Sequence, residues 1–373
     1  MTNHLHEIEA LGQSIWLDNI SRQLIESGSL ERLIVDDGIS GVTSNPSIFE
    51  KAMGHSDTYD EALRAAAADG LDAREIFFRL AIRDIRDGAD LLRTSWERAG
   101  GADGHISFEL LPELADQVEA SVSAAEHFAA EIDRPNLLIK VPGTAAGVEA
   151  FRELTARGIS VNVTLLFAVP RYEEIAEAYI AGLEQRAAAG QPVDGLASVA
   201  SFFVSRVDGK VDAALEKAGR GDLQGKAAVA NARVAYESFQ RIFSGPRWEA
   251  LAARGARVQR PLWASTSTKN PAYPDTLYVD ELIGPDTVNT MPDATIDAAR
   301  DHGTAKRTID RDVAGAHRLL DQVRAAGVDI DRICAVELVE EGVASFAKAF
   351  DDLIETIGQK SAALATAGAS TDG

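Results

Sequence analysis

Residues 136–150 read NLLIKVPGTAAGVEA. Leu137, Leu138, Ile139 and Val141 form a short apolar run of strand length, ended by Pro142-Gly143. Beyond the turn, Val148, Phe151 and Thr155 recur at helical spacing and share one face. The stretch therefore reads as a buried strand leading into a helix. Lys140 interrupts the apolar run, although lysine is rarely buried without a partner. The unit sets the fold, and the lysine sets the chemistry to be explained.

The strand-then-helix unit recurs along the chain. The candidate strands are SIWLDNI (14–20), GISGVTSN (38–45), GHISFEL (104–110), NLLIKV (136–141), GISVNVTLL (158–166), GLASVASFF (195–203), RPLWAST (260–266) and GPDTVNTM (284–291). Ile175, Tyr179 and Leu183 share a helical face after the fifth. Alternation of this kind implies a parallel sheet with crossover helices. Repetition of the unit to eight strands predicts an α/β protein, a (β/α)8 TIM barrel with additional helices, ahead of a doubly wound open sheet. We expect one barrel domain over 1–373, with extra helices near 55–100 and a helical extension from about 305. The small, polar stretch 361–373 is expected to fray.

The 373 residues are 46% hydrophobic, 25% charged and 6% aromatic, an ordinary globular composition. Lys and Arg total 37 against 58 Asp and Glu, a net charge of −21. That field disfavours nucleic acid and anionic membranes as partners, while a small phosphorylated substrate needs only one or two local cations. The single cysteine, Cys334, cannot form an intrachain disulfide, which fits a reducing compartment. MTNHLHEIEALGQ lacks a basic region followed by an apolar one, and no apolar stretch reaches spanning length, so the expected location is cytoplasmic. Neither VPGTAAG nor GVTSNPSIFEKAMG is the GxGxxG dinucleotide signature. The 7 histidines show no paired ligand spacing, so neither a metal nor an organic cofactor is expected. Oligomeric state has no signature in the sequence.

Polar groups fall within or at the ends of the first seven candidate strands: Asp18, Thr43 and Asn45, Glu109, Lys140, Asn162 and Thr164, Ser201, and Ser265. In a barrel, such residues converge from different strands on one pocket. Asn162 and Thr164, two apart, face the same side of their strand. A neutral amine attacks a ketone to form an imine, and apolar surroundings favour the neutral form of an amine. A protonated imine withdraws electrons, so a carbon–carbon bond can break once a base removes a nearby hydroxyl proton. Asp18 and Glu109 are the candidate carboxylates. Each residue also has a plainer reading. Lys140 could snorkel or be salt-bridged, Asp18 could cap a helix, and Glu109 could pair with any cation. Thr43 and Asn45 could shape a turn, and Asn162, Thr164, Ser201 and Ser265 could satisfy strand ends. Their joint placement favours a site.

The stretches WLDNISR, GVTSNPSIFEKA, GHISFELLP, LLIKVPGTAAGVEA, SVNVTLLF, SFFVSRVD and WASTSTKNPAYPDTLYVDELIGPDTVNTMP resemble the transaldolase family in its longer bacterial form. The resemblance runs over roughly residues 10–300. It implies a (β/α)8 barrel that uses an imine-forming lysine on the fourth strand and no cofactor. By position, Lys140 would be that lysine, and Asp18 the acid/base for carbon–carbon cleavage. Glu109 and Thr164 would move protons through a water during imine formation and release. Thr43, Asn45, Asn162 and Ser201 would hold substrate hydroxyls, Phe203 would line the pocket, and Arg206 would bind phosphate. Where shorter members read Ser, an aromatic and Arg, this chain reads Ser265-Thr266-Ser267-Thr268-Lys269, so Lys269 would supply the second phosphate cation from a shifted place.

The resemblance implies reversible transfer of a dihydroxyacetone unit from sedoheptulose 7-phosphate to glyceraldehyde 3-phosphate, in the non-oxidative pentose phosphate pathway. The products would be erythrose 4-phosphate and fructose 6-phosphate. One alternative is a fructose 6-phosphate aldolase-type lyase that releases the fragment to water. Phe203 has no hydroxyl to activate that water, which favours transfer. Another is a non-catalytic sugar-phosphate sensor or partner subunit.

Overall fold

The computed structural model describes residues 3–369. Eight strands close into one barrel in sequence order: β1 Gln13–Leu17, β2 Gly41–Val42, β3 His105–Glu109, β4 Leu137–Pro142, β5 Val161–Leu166, β6 Ser198–Phe203, β7 Gln259–Ala264 and β8 Thr287–Met291. Every neighbouring pair is parallel, and β8 closes on β1. Five fall inside the stretches read as strands, while β1, β4 and β7 overrun theirs by one residue, at Gln13, Pro142 and Gln259; closure excludes the open-sheet alternative. Their near-continuous burial is what a parallel sheet covered by helices requires.

The helix Ala145–Arg157 buries Phe151 and Thr155, and the helix Val169–Ala188 buries Ile175, Tyr179 and Leu183. These are residues whose spacing predicted an inward stripe; Val148 is only partly covered. Local chemistry fixes the helix ends. Thr144 caps the first by accepting from the Gly147 N–H, and Gly158 ends it in the left-handed region at φ 92°.

At the N-terminal face of the barrel, Asp103 accepts hydrogen bonds from Ser14, from Trp16 Nε1 at 2.9 Å and from Ser40 at 2.8 Å. Trp16 lies flat against β2, where a Cβ on Gly41 would sit 2.4 Å from its ring. Only glycine admits that approach. This end of the barrel is tied shut, leaving the C-terminal mouth for chemistry.

The added helices have two distinct placements. In the 55–100 region, Ala73–Leu91 is pinned by a buried network: Arg22 bonds Asp84 at 2.9 Å, and the Tyr59 hydroxyl donates to Asp84 at 2.7 Å. The long C-terminal helix Leu338–Ala369 instead crosses the mouth. Lys360 fastens it to the helix Pro46–His55 by donating to the Met53 carbonyl at 3.0 Å, and Lys210 holds its start through Glu341 at 2.6 Å. Gly342 lets it press on Leu165, where a Cβ would stand 2.8 Å from the leucine side chain. Leu165 itself has φ 58°, at a bulge between Val163 and Leu166 that re-aims the end of β5. The helix extends to Ala369, through most of the stretch expected to fray; residues 370–373 lie outside the described residues. No helix among the described residues is long and apolar enough to cross a membrane.

Candidate active site

Register places the site's first layer. Glu109 on β3 is directly opposite Lys140 on β4, which is opposite Asn162 on β5. Adjacent positions in a parallel ladder project to the same side, so the three polar groups meet inside the barrel. Lys140 Nζ lies 3.2 Å from Glu109 Oε2 and donates to the Ser44 carbonyl at 2.9 Å. The two side chains are only 6% and 8% exposed. The lysine is thus buried, and paired, as burial demands. Burial pushes the Glu109 carboxyl above its ordinary range, opposed by the Lys140 charge.

Asp18 follows β1 and is anchored by its N–H on the Met291 carbonyl at 2.8 Å. It caps no helix: Ser21 does that for Arg22–Glu26. Its carboxylate accepts from the Thr43 hydroxyl at 2.7 Å, and Thr43 is 2.7 Å from the Thr290 hydroxyl. Burial raises the Asp18 pKa, while the Thr43 bond and the charges of Lys140, Lys269 and Arg206 pull it back. Asp18 is therefore a buried carboxylate that shares the cleft with Lys140 without a hydrogen bond to it.

A cleft of about 290 Å³ opens above these groups. Asp18, Thr43, Asn45, Lys140, Thr164, Ser201, Phe203, Arg206, Ser265 and Lys269 all line it. Glu109 and Asn162 do not; they lie one layer beneath. Glu109 reaches the cleft through Lys140, and Asn162 through Ser201, whose hydroxyl donates to Asn162 Oδ1 at 2.6 Å. Asn162 Nδ2 in turn donates to Ser107 at 3.0 Å. Asn45 Oδ1 accepts from the Ile48 N–H and caps the helix Pro46–His55, so the plainer role and a place in the cleft coexist. The buried Thr164 hydroxyl has no hydrogen-bond partner among the described residues, an orphan suited to a ligand or water. Ser265, at φ 55°, meets the Ser205 hydroxyl at 2.9 Å.

Arg206 stands over the Phe203 ring, 5.2 Å from its centroid, and burial lowers its pKa. Lys269 donates to Ser267 at 2.6 Å, and burial followed by the Arg206 charge lowers its pKa. Both cations line the cleft and form no ion pair among the described residues, which suits them to an anion.

Sequence reasoning missed Ser44, Thr290, Ser107, Lys51, Ser345 and Phe346. Ser44 sits in a polar strand end that the pattern already marked, whereas Thr290 lies on the eighth strand, which it did not mark. Ser345 and Phe346 carried no local signal, because they reach the cleft only when the C-terminal helix docks; the Phe346 ring centroid is 6.0 Å from Lys140 Nζ.

Fold and site together define an enzyme of the (β/α)8 class, with a buried lysine–carboxylate pair at the barrel mouth and cations at the rim. Residues 15–357 match the model of the transaldolase/fructose-6-phosphate aldolase family. A transaldolase of Parafrankia sp. is 49% identical over 362 residues, 96% of this chain and 98% of that protein. Transaldolase 1 of Streptomyces avermitilis is 47% identical, covering 96% of each chain, and transaldolase 2 of Nostoc sp. is 46% identical, covering 95% and 97%. The chain belongs to the transaldolase/fructose-6-phosphate aldolase family. Its activity is that class's: it is a transferase acting as a transaldolase.

Proposed function

We propose that the enzyme moves a three-carbon dihydroxyacetone unit between sugar phosphates through an imine at Lys140. The observation that carries this reading is the buried Lys140–Glu109 pair at 3.2 Å, whose lysine opens on the same cleft as Asp18. Glu109 takes a proton from Lys140, and the freed amine attacks the C2 ketone of the donor. Glu109 then returns a proton as the C2 hydroxyl leaves as water, with the Thr164 hydroxyl holding that water. The protonated imine draws electrons from the C3–C4 bond. Asp18, held by Thr43, removes the proton from the C4 hydroxyl, the bond breaks, and the aldehyde departs. The enamine left on Lys140 waits for an acceptor aldehyde, and the steps reverse with Asp18 as acid.

Asn45 and Ser201 hold hydroxyls of the fragment, while Asn162 orients Ser201 from below. Arg206 and Lys269 hold the phosphate, and Ser265 supports the Arg206 helix through Ser205. Phe346 above the lysine and Phe203 beside Arg206 keep the bound fragment from bulk water, which favours transfer over release. Sedoheptulose 7-phosphate and fructose 6-phosphate are the donors in this reading, with glyceraldehyde 3-phosphate and erythrose 4-phosphate as acceptors. The reaction would serve the non-oxidative pentose phosphate pathway in the cytoplasm, where a free buried thiol such as Cys334 stays reduced.

The test is incubation with fructose 6-phosphate and sodium borohydride, followed by peptide mapping. A reduced three-carbon adduct on Lys140 is expected. No adduct, or one on another lysine, would overturn the mechanism. Dihydroxyacetone accumulating faster than transfer product would point to the lyase instead.

A further inference from the structure

Besides Lys140, Arg206 and Lys269, the cleft holds a fourth cation that the reading above leaves without a role. Lys51 lies on the helix Pro46–His55, across the mouth from Arg206. Ser47, Ile48 and Lys51 recur at helical spacing, and all three line the cleft, so this helix presents one face to the ligand space. Lys51 is six residues beyond Asn45 at the helix start, about 9 Å along the axis at 1.5 Å per residue. It is exposed at the rim, whereas Arg206 is half-buried. Lys51 makes no ion pair among the described residues, in a chain where carboxylates outnumber cations 58 to 37 and most surface arginines have found one. Lys51 also borders a neighbouring groove with Glu50, Asp352 and Glu355 but forms no ion pair with them, which leaves its charge available to a ligand in the cleft.

Burial separates Arg206, half-buried, from Lys269 and Lys51, both exposed. The Asp18 carboxyl feels Lys140, Lys269 and Arg206, and Lys269 in turn feels Lys51. An imine at C2 fixes the first three carbons of any donor, so the reach of the phosphate is set by chain length alone. A seven-carbon ketose carries its phosphate one carbon further out than a six-carbon one.

We propose that Lys51 is a specificity-determining residue that engages the phosphate of the longer ketose donor, while Arg206 and Lys269 suffice for the shorter. The inference rests on the imine mechanism proposed above. It makes the rim of the cleft a gauge of donor length. Lys51 acts as a point charge rather than a fork, which suits a phosphate that arrives at variable angle.

The test compares KM for sedoheptulose 7-phosphate and fructose 6-phosphate in wild type, Lys51→Ala and Lys51→Arg. The ratio of the two KM values is expected to rise at least tenfold in Lys51→Ala, with the loss in KM rather than kcat, and to return toward wild type in Lys51→Arg. An unchanged ratio, whether both KM values stay or both rise together, would overturn the proposal. Borohydride trapping is run on the same proteins with fructose 6-phosphate. An adduct on Lys140 with an unchanged ratio sinks the role of Lys51 alone, whereas no adduct in wild type sinks the mechanism beneath it.

Discussion

Replacing Glu109 by glutamine keeps the shape of the side chain and removes its charge. Lys140 would then be a buried ammonium left with the Ser44 carbonyl as its partner. At 3.2 Å, and with an effective dielectric constant of about 20, the lost attraction is about 5 kcal/mol. Removing one member of a buried pair destabilises a protein by about 3–5 kcal/mol, which agrees. Glu109→Gln should therefore lower the unfolding free energy by that amount, and Lys140→Met on top of it should recover much of the loss, since no charge is then stranded. Catalysis has a separate magnitude. A positioned general acid/base contributes about 10²- to 10⁴-fold, so turnover should fall by that factor and imine trapping should slow in parallel. Urea unfolding of wild type, both single variants and the double variant gives the first number, and steady-state transfer with stopped-flow borohydride quench gives the second. If Glu109→Gln forms the imine within about threefold of the wild-type rate, with the protein folded, Glu109 does not carry the proton and the reasoning fails.

Three further outcomes follow from the same geometry. In Asp18→Asn, the imine should form but cleavage should slow by about 10²- to 10⁴-fold; mass spectrometry should find a six-carbon adduct on Lys140, and a three-carbon adduct appearing at the wild-type rate would remove Asp18 from the cleavage step. Arg206→Ala gives up charge-assisted hydrogen bonds worth about 1.5–3 kcal/mol, so KM for fructose 6-phosphate should rise about 10- to 100-fold; an unchanged KM would place the phosphate elsewhere. Asp208, buried and bonded by the Ala228 N–H and the Tyr278 hydroxyl, has its carboxyl pushed up to about 6 by burial. A raised carboxyl stabilises the folded state below its unfolded pKa and loses that contribution as pH rises through 6. The unfolding free energy of Asp208→Asn relative to wild type should hence shift in the variant's favour by about 2 kcal/mol between pH 4 and 7, and a pH-independent difference would mean that Asp208 titrates normally.

The barrel was legible because parallel strands buried on both faces leave a plain trace. Leu137 to Val141 and Val161 to Leu166 read as apolar runs, and Ile175, Tyr179 and Leu183 repeat at the helical period. Strand ends were less legible: β2 is only Gly41–Val42, since Thr43 to Asn45 turn toward the mouth and cap the next helix. Within the site, Lys140 stood out because its neighbours made its charge anomalous. Thr290 did not, since a threonine in a strand draws no notice until its hydroxyl is found 2.7 Å from that of Thr43.

Sequence alone determined the periodicity, the count of units and the chemical types at the strand ends, because each depends on residues a few positions apart. Tertiary structure decided which of those groups touch. Glu109 meets Lys140 through strand register, across 31 residues of chain. Arg206, Lys269 and Lys51 share one cleft only because three separate elements end at the same mouth. The C-terminal helix could have covered a subunit interface or the mouth. Its placement at the mouth rests on Gly342 admitting Leu165 and on Lys360 and Lys210 finding their partners, contacts between residues 131 to 307 positions apart that no local pattern encodes.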